Sequence, residues 1–175
     1  MRVSDIERLL VKQGILIGPG TGVNPMGASA EEDPVISGVF MDSRKVLPGG
    51  LFFCLQGTTY DGHDHALEAW GNGAVCVVSK RTTTAPVVHL LVRDPRVAMG
   101  VAAMAFFGSP ANSLKMFAVT GTNGKTTTAY MLRSIFNSSG GRSGMLGTVV
   151  YDTGNGVYHE ARRTTPESPE IQSML

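Results

Sequence analysis

Residues Lys115 to Leu132 read KMFAVTGTNGKTTTAYML, and this stretch restricts the fold more than any other in the chain. Met116 to Val119 is a short apolar run that predicts a buried strand. TGTNGKTTT follows without a gap, and Ala129, Leu132 and Phe136 then recur at helical spacing. Strand, glycine loop and helix in that order belong to an α/β protein with a parallel sheet. In such a loop Gly121 and Gly124 let the backbone curl so that successive N–H groups point inward, and the helix start adds a partial positive charge. That nest suits a phosphate. Lys125 would reach the outer phosphates as a flexible point charge, and Thr126 would place its hydroxyl on Mg²⁺. Gly121, Thr122, Asn123, Gly124, Lys125, Thr126 and Thr127 are therefore the expected nucleotide-binding residues, with Lys125 and Thr126 closest to the chemistry. The general phosphate-loop pattern asks for glycine five positions before Gly124, where this chain has Val119. The plainer reading, a glycine turn joining strand to helix, is outweighed by Gly-Lys-Thr at the helix start and by the flanking elements.

The upstream residues predict a separate α/β domain. Ser4 with Glu7 three residues on has capping-box spacing for a short helix carrying Ile6, Leu9 and Leu10 and stopping at Gly14. Residues 18–34, rich in glycine, proline and acids, read as loop. VISGVFM and GLFFCLQG are predicted strands joined by the polar DSRKVLPG. A helix with Ala66, Leu67, Ala69 and Trp70 on one face ends at GNG and leads into the strand AVCVVS. VVHLLV is a further strand. Asp94 and Pro95 then cap a helix carrying Val97, Val101, Ala105 and Phe106, which ends at Gly108. GSPANSL is the connection that separates residues 1–113 from residues 114–175, where the strand MLGTVV and a hairpin-like tail follow the glycine loop.

Charge excludes some partners. Fifteen basic residues against 14 acidic ones create no field drawing the chain to nucleic acid or anionic lipid. The opening residues lack a signal peptide's apolar core, and no run approaches the roughly 20 apolar residues of a membrane span, so a cytoplasmic protein is expected. Cys54 and Cys76 sit in apolar runs and read as buried thiols. In DGHDH, His63 and His65 are two apart and do not share a helical face, so Asp61 and Gly62 read as a turn and cap instead of a metal site. His89 reads as a strand histidine and His159 as part of an exposed hairpin.

TGTNGKTT resembles the ATP loop of the Mur ligases, which build the peptide of bacterial cell-wall precursors, although cyanophycin synthetases and related ligases share it. MDSRKVLPGGLFFCLQGTTYDGHDHALEAWGNGAVCVV, LGTV and RTTPES are similar to those Mur ligases that add the third amino acid to UDP-N-acetylmuramoyl-L-alanyl-D-glutamate. The resemblance implies a small UDP-binding α/β domain over residues 1–113, followed by the start of a P-loop, Rossmann-like ATP-binding domain over residues 114–175. It places Met41 and Ser43 at the uridine diphosphate group and Thr58, Thr59 and Tyr60 at the uracil. Arg163, Thr164 and Thr165 fall near the sugar and peptide. It implies ATP and Mg²⁺ as cofactors, and the UDP-N-acetylmuramoyl-dipeptide and a diamino acid, meso-diaminopimelate or lysine, as partners of a monomeric enzyme. The implied reaction passes the γ-phosphate of ATP to the D-glutamyl carboxylate, and an amine then attacks the acyl phosphate. Only 50 residues follow Lys125, and SPEIQSML opens a helix without a stop signal, so the expectation is a ligase fragment that binds ligand without ligating. A non-catalytic UDP-sugar-binding module, another Mur-type ligase and a stand-alone nucleotide switch are the alternatives.

Overall fold

A computed structural model describes residues 1–17, 33–161 and 164–175. The chain divides into two compact units, Met1–Ser109 and Pro110–Leu175.

In the first unit, four parallel strands lie in chain order: β1 (Gly38–Phe40), β2 (Gly50–Phe53), β3 (Ala74–Ser79) and β4 (Val88–Leu91). Gly38 pairs with Gly50, Leu51 with Cys76, and Val77 with His89. Successive side chains point to opposite faces, and both faces are covered. Leu51, Phe53, Cys76, Val78 and Leu90 pack with Ile6 and Leu10 of α1 (Val3–Lys12) and with Met99 and Ala102 of α3 (Pro95–Phe106). Phe52, Cys54 and Val77 pack with Ala66 and Ala69 of α2 (Ala66–Gly71). Burial on both sides explains why GLFFCL and AVCVV read as continuous apolar runs. Each fully buried Phe, Leu or Ile contributes about 1.5–3 kcal/mol of transfer free energy. The cysteines are buried thiols, as expected, and desolvation pushes the Cys54 thiol up to about 12.

The helices bury Ile6, Leu10 and Ala69 as expected, and Val101 and Phe106 pack partly against the core, but they depart from expectation at other positions. α1 starts earlier: the Asp5 carboxylate accepts the Arg2 N–H at 2.8 Å, while the Ser4 N–H and hydroxyl both donate to Asp33 and do not cap the helix. In α2 the alanines alone face the sheet, leaving Leu67 50% and Trp70 45% exposed. A helix of six residues seats one small-residue ridge, and Ala66 and Ala69 supply it. In α3 Pro95, Ala98, Met99, Ala102 and Ala103 are buried and Val101 and Phe106 pack at the core's edge, while Val97 is exposed, because PRVAMGVAAMAF is apolar nearly all round and the small residues admit the closest approach. The cap of α3 is as expected, with Asp94 accepting from the Arg96 and Val97 N–H groups.

The second unit holds α4 (Lys125–Ser138), an antiparallel sheet of β5 (Met145–Leu146), β6 (Val150–Asp152) and β7 (Tyr158–Glu160), and α5 (Ser168–Met174). The buried strand expected at Met116 to Val119 is not formed. Met116 is 54% and Phe117 62% exposed, and no parallel partner accepts their backbone groups among the described residues. MLGTVV is not one strand either: Gly147 donates to the Val150 carbonyl at 3.2 Å, turning the chain between β5 and β6. The unit is held by the Phe117 and Phe136 rings, 5.0 Å apart, and by buried Asp152, which accepts from the Arg133 guanidinium and, at 2.8 Å, from the Gly154 N–H. His159 lies on the exposed β6–β7 hairpin, as expected.

Candidate functional site

The two candidate sites lie in different units. The glycine loop of the second unit ends in Gly124 at φ 77 and ψ −5, a left-handed conformation that a residue with a Cβ adopts only under strain. Gly124 is the N-cap of α4 and no side chain caps the helix. The first intrahelical bond runs from the Thr128 N–H to the Gly124 carbonyl at 2.9 Å, so the Lys125, Thr126 and Thr127 N–H groups precede the helical ladder and form an anion-seeking end. The Lys125 ammonium folds back over the loop, donating to the Gly121 carbonyl at 2.6 Å and the Thr122 carbonyl at 3.4 Å. Its charge thus sits against the turn that leads into α4. The loop from Gly121 to Gly124 is exposed, while Lys125 and Thr126 are half-buried.

In the first unit, DSRK forms a short 3-10 turn, Ser43–Lys45, after β1. Asp42 caps it and takes the Arg44 guanidinium on both oxygens at 2.9 Å, and this bidentate bond holds the Asp42 carboxyl below its usual range. Ser43 is buried. Its hydroxyl donates to Glu68 at 2.6 Å, its carbonyl accepts from the Asn72 amide at 3.0 Å, and the Ser43 hydroxyl lowers the Glu68 pKa. Met41, half-buried, packs on the α1–α3 side of the core. Thr58, Thr59 and Tyr60 lie together on an exposed loop after β2, closed by the Gly57 N–H donating to the Tyr60 carbonyl at 2.9 Å. Asp61 caps the 3-10 turn Gly62–His65 as the DG pair predicts. Gly62 leaves no room for a side chain, since a Cβ would meet the Leu55 N and O at 2.7 and 2.8 Å.

Thr164 and Thr165 are exposed in the second unit, with Thr164 3.5 Å from the Thr148 hydroxyl. Arg163 lies outside the described residues. Sequence reasoning missed Glu68, Asn72 and the pairing of Thr148 with Thr164. LGTV pointed toward Thr148 but not to its partner, and nothing local marks Glu68, 25 positions from Ser43. His89, expected as a strand residue, is buried on β4 with Nε2 2.7 Å from the Thr83 hydroxyl, and desolvation lowers its pKa.

Two family models match. The Mur ligase middle domain aligns with residues 119–175, and the Mur ligase family, catalytic domain, aligns with residues 35–107. The UDP-N-acetylmuramoyl-L-alanyl-D-glutamate--2,6-diaminopimelate ligase of Halalkalibacterium halodurans is 46% identical over 142 residues, 81% of this chain and 29% of that protein. The enzyme of the same name from Geobacter sulfurreducens is 40% identical and aligns with 100% of this chain and 32% of its own length. Among solved structures, a UDP-N-acetylmuramoyl-L-alanyl-D-glutamate--2,6-diaminopimelate ligase superposes with a TM-score of 0.62 at 26% identity, over 79% of this chain and 28% of that one. MurF from Acinetobacter baumannii gives 0.53 at 28% identity, over 79% and 27%. The chain spans about a third or less of the curated relatives it matches.

Proposed function

Because the chain belongs to the Mur ligase family, we propose that it provides the precursor-binding unit and the phosphate loop of an ATP-dependent ligase. That ligase adds the third amino acid to UDP-N-acetylmuramoyl-L-alanyl-D-glutamate in the cytoplasm. The names of the curated relatives favour 2,6-diaminopimelate over lysine as the incoming amine. The observation that carries the reading is the end of α4, where a left-handed glycine, three amides ahead of the helical ladder and a folded-back lysine converge on one turn.

In this proposal ATP, when bound, supplies the phosphoryl group that activates the D-glutamyl carboxylate. The Lys125 ammonium leaves the Gly121 and Thr122 carbonyls for the phosphate oxygens, a charged acceptor holding it more strongly than a neutral one. The amides of Lys125 to Thr127 hold the phosphates, and fixed donors of this kind stabilise charge developing in phosphoryl transfer. Among the described residues no three His, Cys, Asp or Glu side chains converge on a metal position. Of the residues present, the Thr126 hydroxyl at the start of α4 is the group that would hold a Mg²⁺ ion beside the nucleotide phosphates. On the first unit, Ser43, Met41 and the Thr58–Tyr60 loop receive the uridine diphosphate end, while Arg163, Thr164 and Thr165, which follow in the second unit, contact the sugar and peptide.

Substitution separates the two sites. Lys125→Ala should weaken ATP–Mg²⁺ binding to the chain at least tenfold and leave UDP-precursor affinity within about twofold. Unchanged ATP affinity would remove the phosphate-loop assignment.

A further inference from the structure

The loop that carries Thr58, Thr59 and Tyr60 is exposed from Gln56 to Tyr60, and its own bonds are backbone ones: Gly57 to Tyr60, the Gln56–Asp61 bridge, and the Gly62 N–H donating to the Leu55 carbonyl at 2.9 Å. The side chains of Thr58, Thr59 and Tyr60 make no hydrogen bond to another described residue, although the Tyr60 ring lies across Gly57, where a Cβ would meet it at 3.0 Å. The residue directly after Tyr60 is tied down differently. The Asp61 carboxylate accepts from the His63 N–H at 3.0 Å, from His63 Nδ1, and from the Arg81 guanidinium at 3.0 Å. The His63 ring is buried, and its Nε2 accepts the Lys80 N–H at 3.3 Å. One neutral tautomer satisfies both contacts, with the proton on Nδ1 facing Asp61 and the Nε2 lone pair facing Lys80.

Lys80 and Arg81 follow β3 without a gap, and the fully buried Ser79 at its end donates its hydroxyl to the Arg81 carbonyl at 2.7 Å. A continuous path of bonds therefore runs from the buried end of a parallel strand, through Arg81 and His63, to the residue that closes the exposed loop. We propose that Arg81 and His63, acting on Asp61, form a latch that holds the Thr58–Tyr60 loop in the shape that receives the uridine end of the precursor. They are positioning residues, and the inference rests on the reading that this loop binds uridine. The Arg81 side chain is 64% exposed, and an ion pair so open to water contributes little to folding. The expected role of the Arg81–Asp61 bond is thus to narrow the loop's conformations before binding, which strengthens affinity without a matching gain in stability.

The test is calorimetric titration of the 175-residue chain with UDP, paired with thermal melting of each variant. Arg81→Ala is expected to weaken UDP about tenfold, the size of one well-placed hydrogen bond, with an unchanged melting temperature, and Arg81→Lys to recover most of the loss. His63→Ala should weaken UDP at least as much. Thr59→Trp, which fills the loop itself, serves as the control. If Thr59→Trp abolishes UDP binding while Arg81→Ala and His63→Ala stay within twofold of wild type, the latch is refuted and the loop assignment stands. If Thr59→Trp also leaves UDP affinity unchanged, the loop assignment fails and the latch falls with it.

Discussion

Ser43 shows how much of this molecule is decided by single side chains. It is 6% exposed, its hydroxyl is held by Glu68 and its carbonyl by Asn72, so it presents a fixed group beside the 3-10 turn. Ser43→Ala should weaken UDP-precursor binding by about tenfold and leave ATP affinity intact, read by separate titrations. Asp61 sets a pH dependence. The His63 backbone N–H and then the His63 ring hold its carboxyl down at about 2, below the 3.8 of a free aspartate. A carboxyl depressed in the folded state contributes stability above its unfolded pKa and loses it as pH falls through the folded one. Melting temperatures of wild type and Asp61→Asn should therefore differ above about pH 4 and converge as pH falls toward 2. A constant difference down to pH 2 would contradict the assignment. The Asp61 cap was legible because an Asp-Gly pair has a local mechanism. The Ser43–Glu68 bond was not, because it depends on α2 lying beside the turn after β1, which no spacing encodes.

At the scale of elements, ends were more legible than faces. Asp94-Pro95 predicted the start of α3, and Asp94 does accept two amides there. Asp94→Ala should cost about 1 kcal/mol, read as a lower urea midpoint with an unchanged slope. The face of α2 and part of that of α3 were misread because both helices offer more apolar residues than their contact with the sheet accommodates, and close packing selected alanine over Leu67, Trp70 and Val97. The missing strand at Met116 to Val119 has another cause: a strand requires a partner for its backbone, and apolar character alone does not supply one. In α4, Gly124→Ala forces a Cβ into φ 77 while meeting no neighbouring atom within 4 Å. Its cost is backbone strain alone, about 1 kcal/mol, with ATP binding weakened because the turn opens. If Gly124→Ala changes neither the urea midpoint nor ATP affinity, the strained turn is not what shapes the loop.

Taken whole, the chain pairs a unit whose parallel sheet is covered on both faces with a unit of one long helix and a small antiparallel sheet, and the proposal places the uridine site on the first and the nucleotide loop on the second. The α/β class and the glycine loop were legible from apolar runs and Gly-Lys-Thr, whereas the antiparallel character of the second sheet depended on a turn at Gly147 that reads as strand in sequence. Bound UDP-precursor should slow amide exchange in β2, β3 and the loops after them, with no equal effect across α4, because a ligand stabilises the elements it orders. The central claim, that the first unit holds the uridine end of the precursor and the glycine loop of the second holds the nucleotide, is tested most directly by one calorimetric comparison. The chain, its Ser43→Ala variant and its Lys125→Ala variant are each titrated with UDP-N-acetylmuramoyl-L-alanyl-D-glutamate and with ATP–Mg²⁺. The account predicts that Ser43→Ala weakens only the precursor and Lys125→Ala only ATP. Loss of ATP affinity in Ser43→Ala with precursor affinity retained, or the reverse pattern in Lys125→Ala, would contradict it.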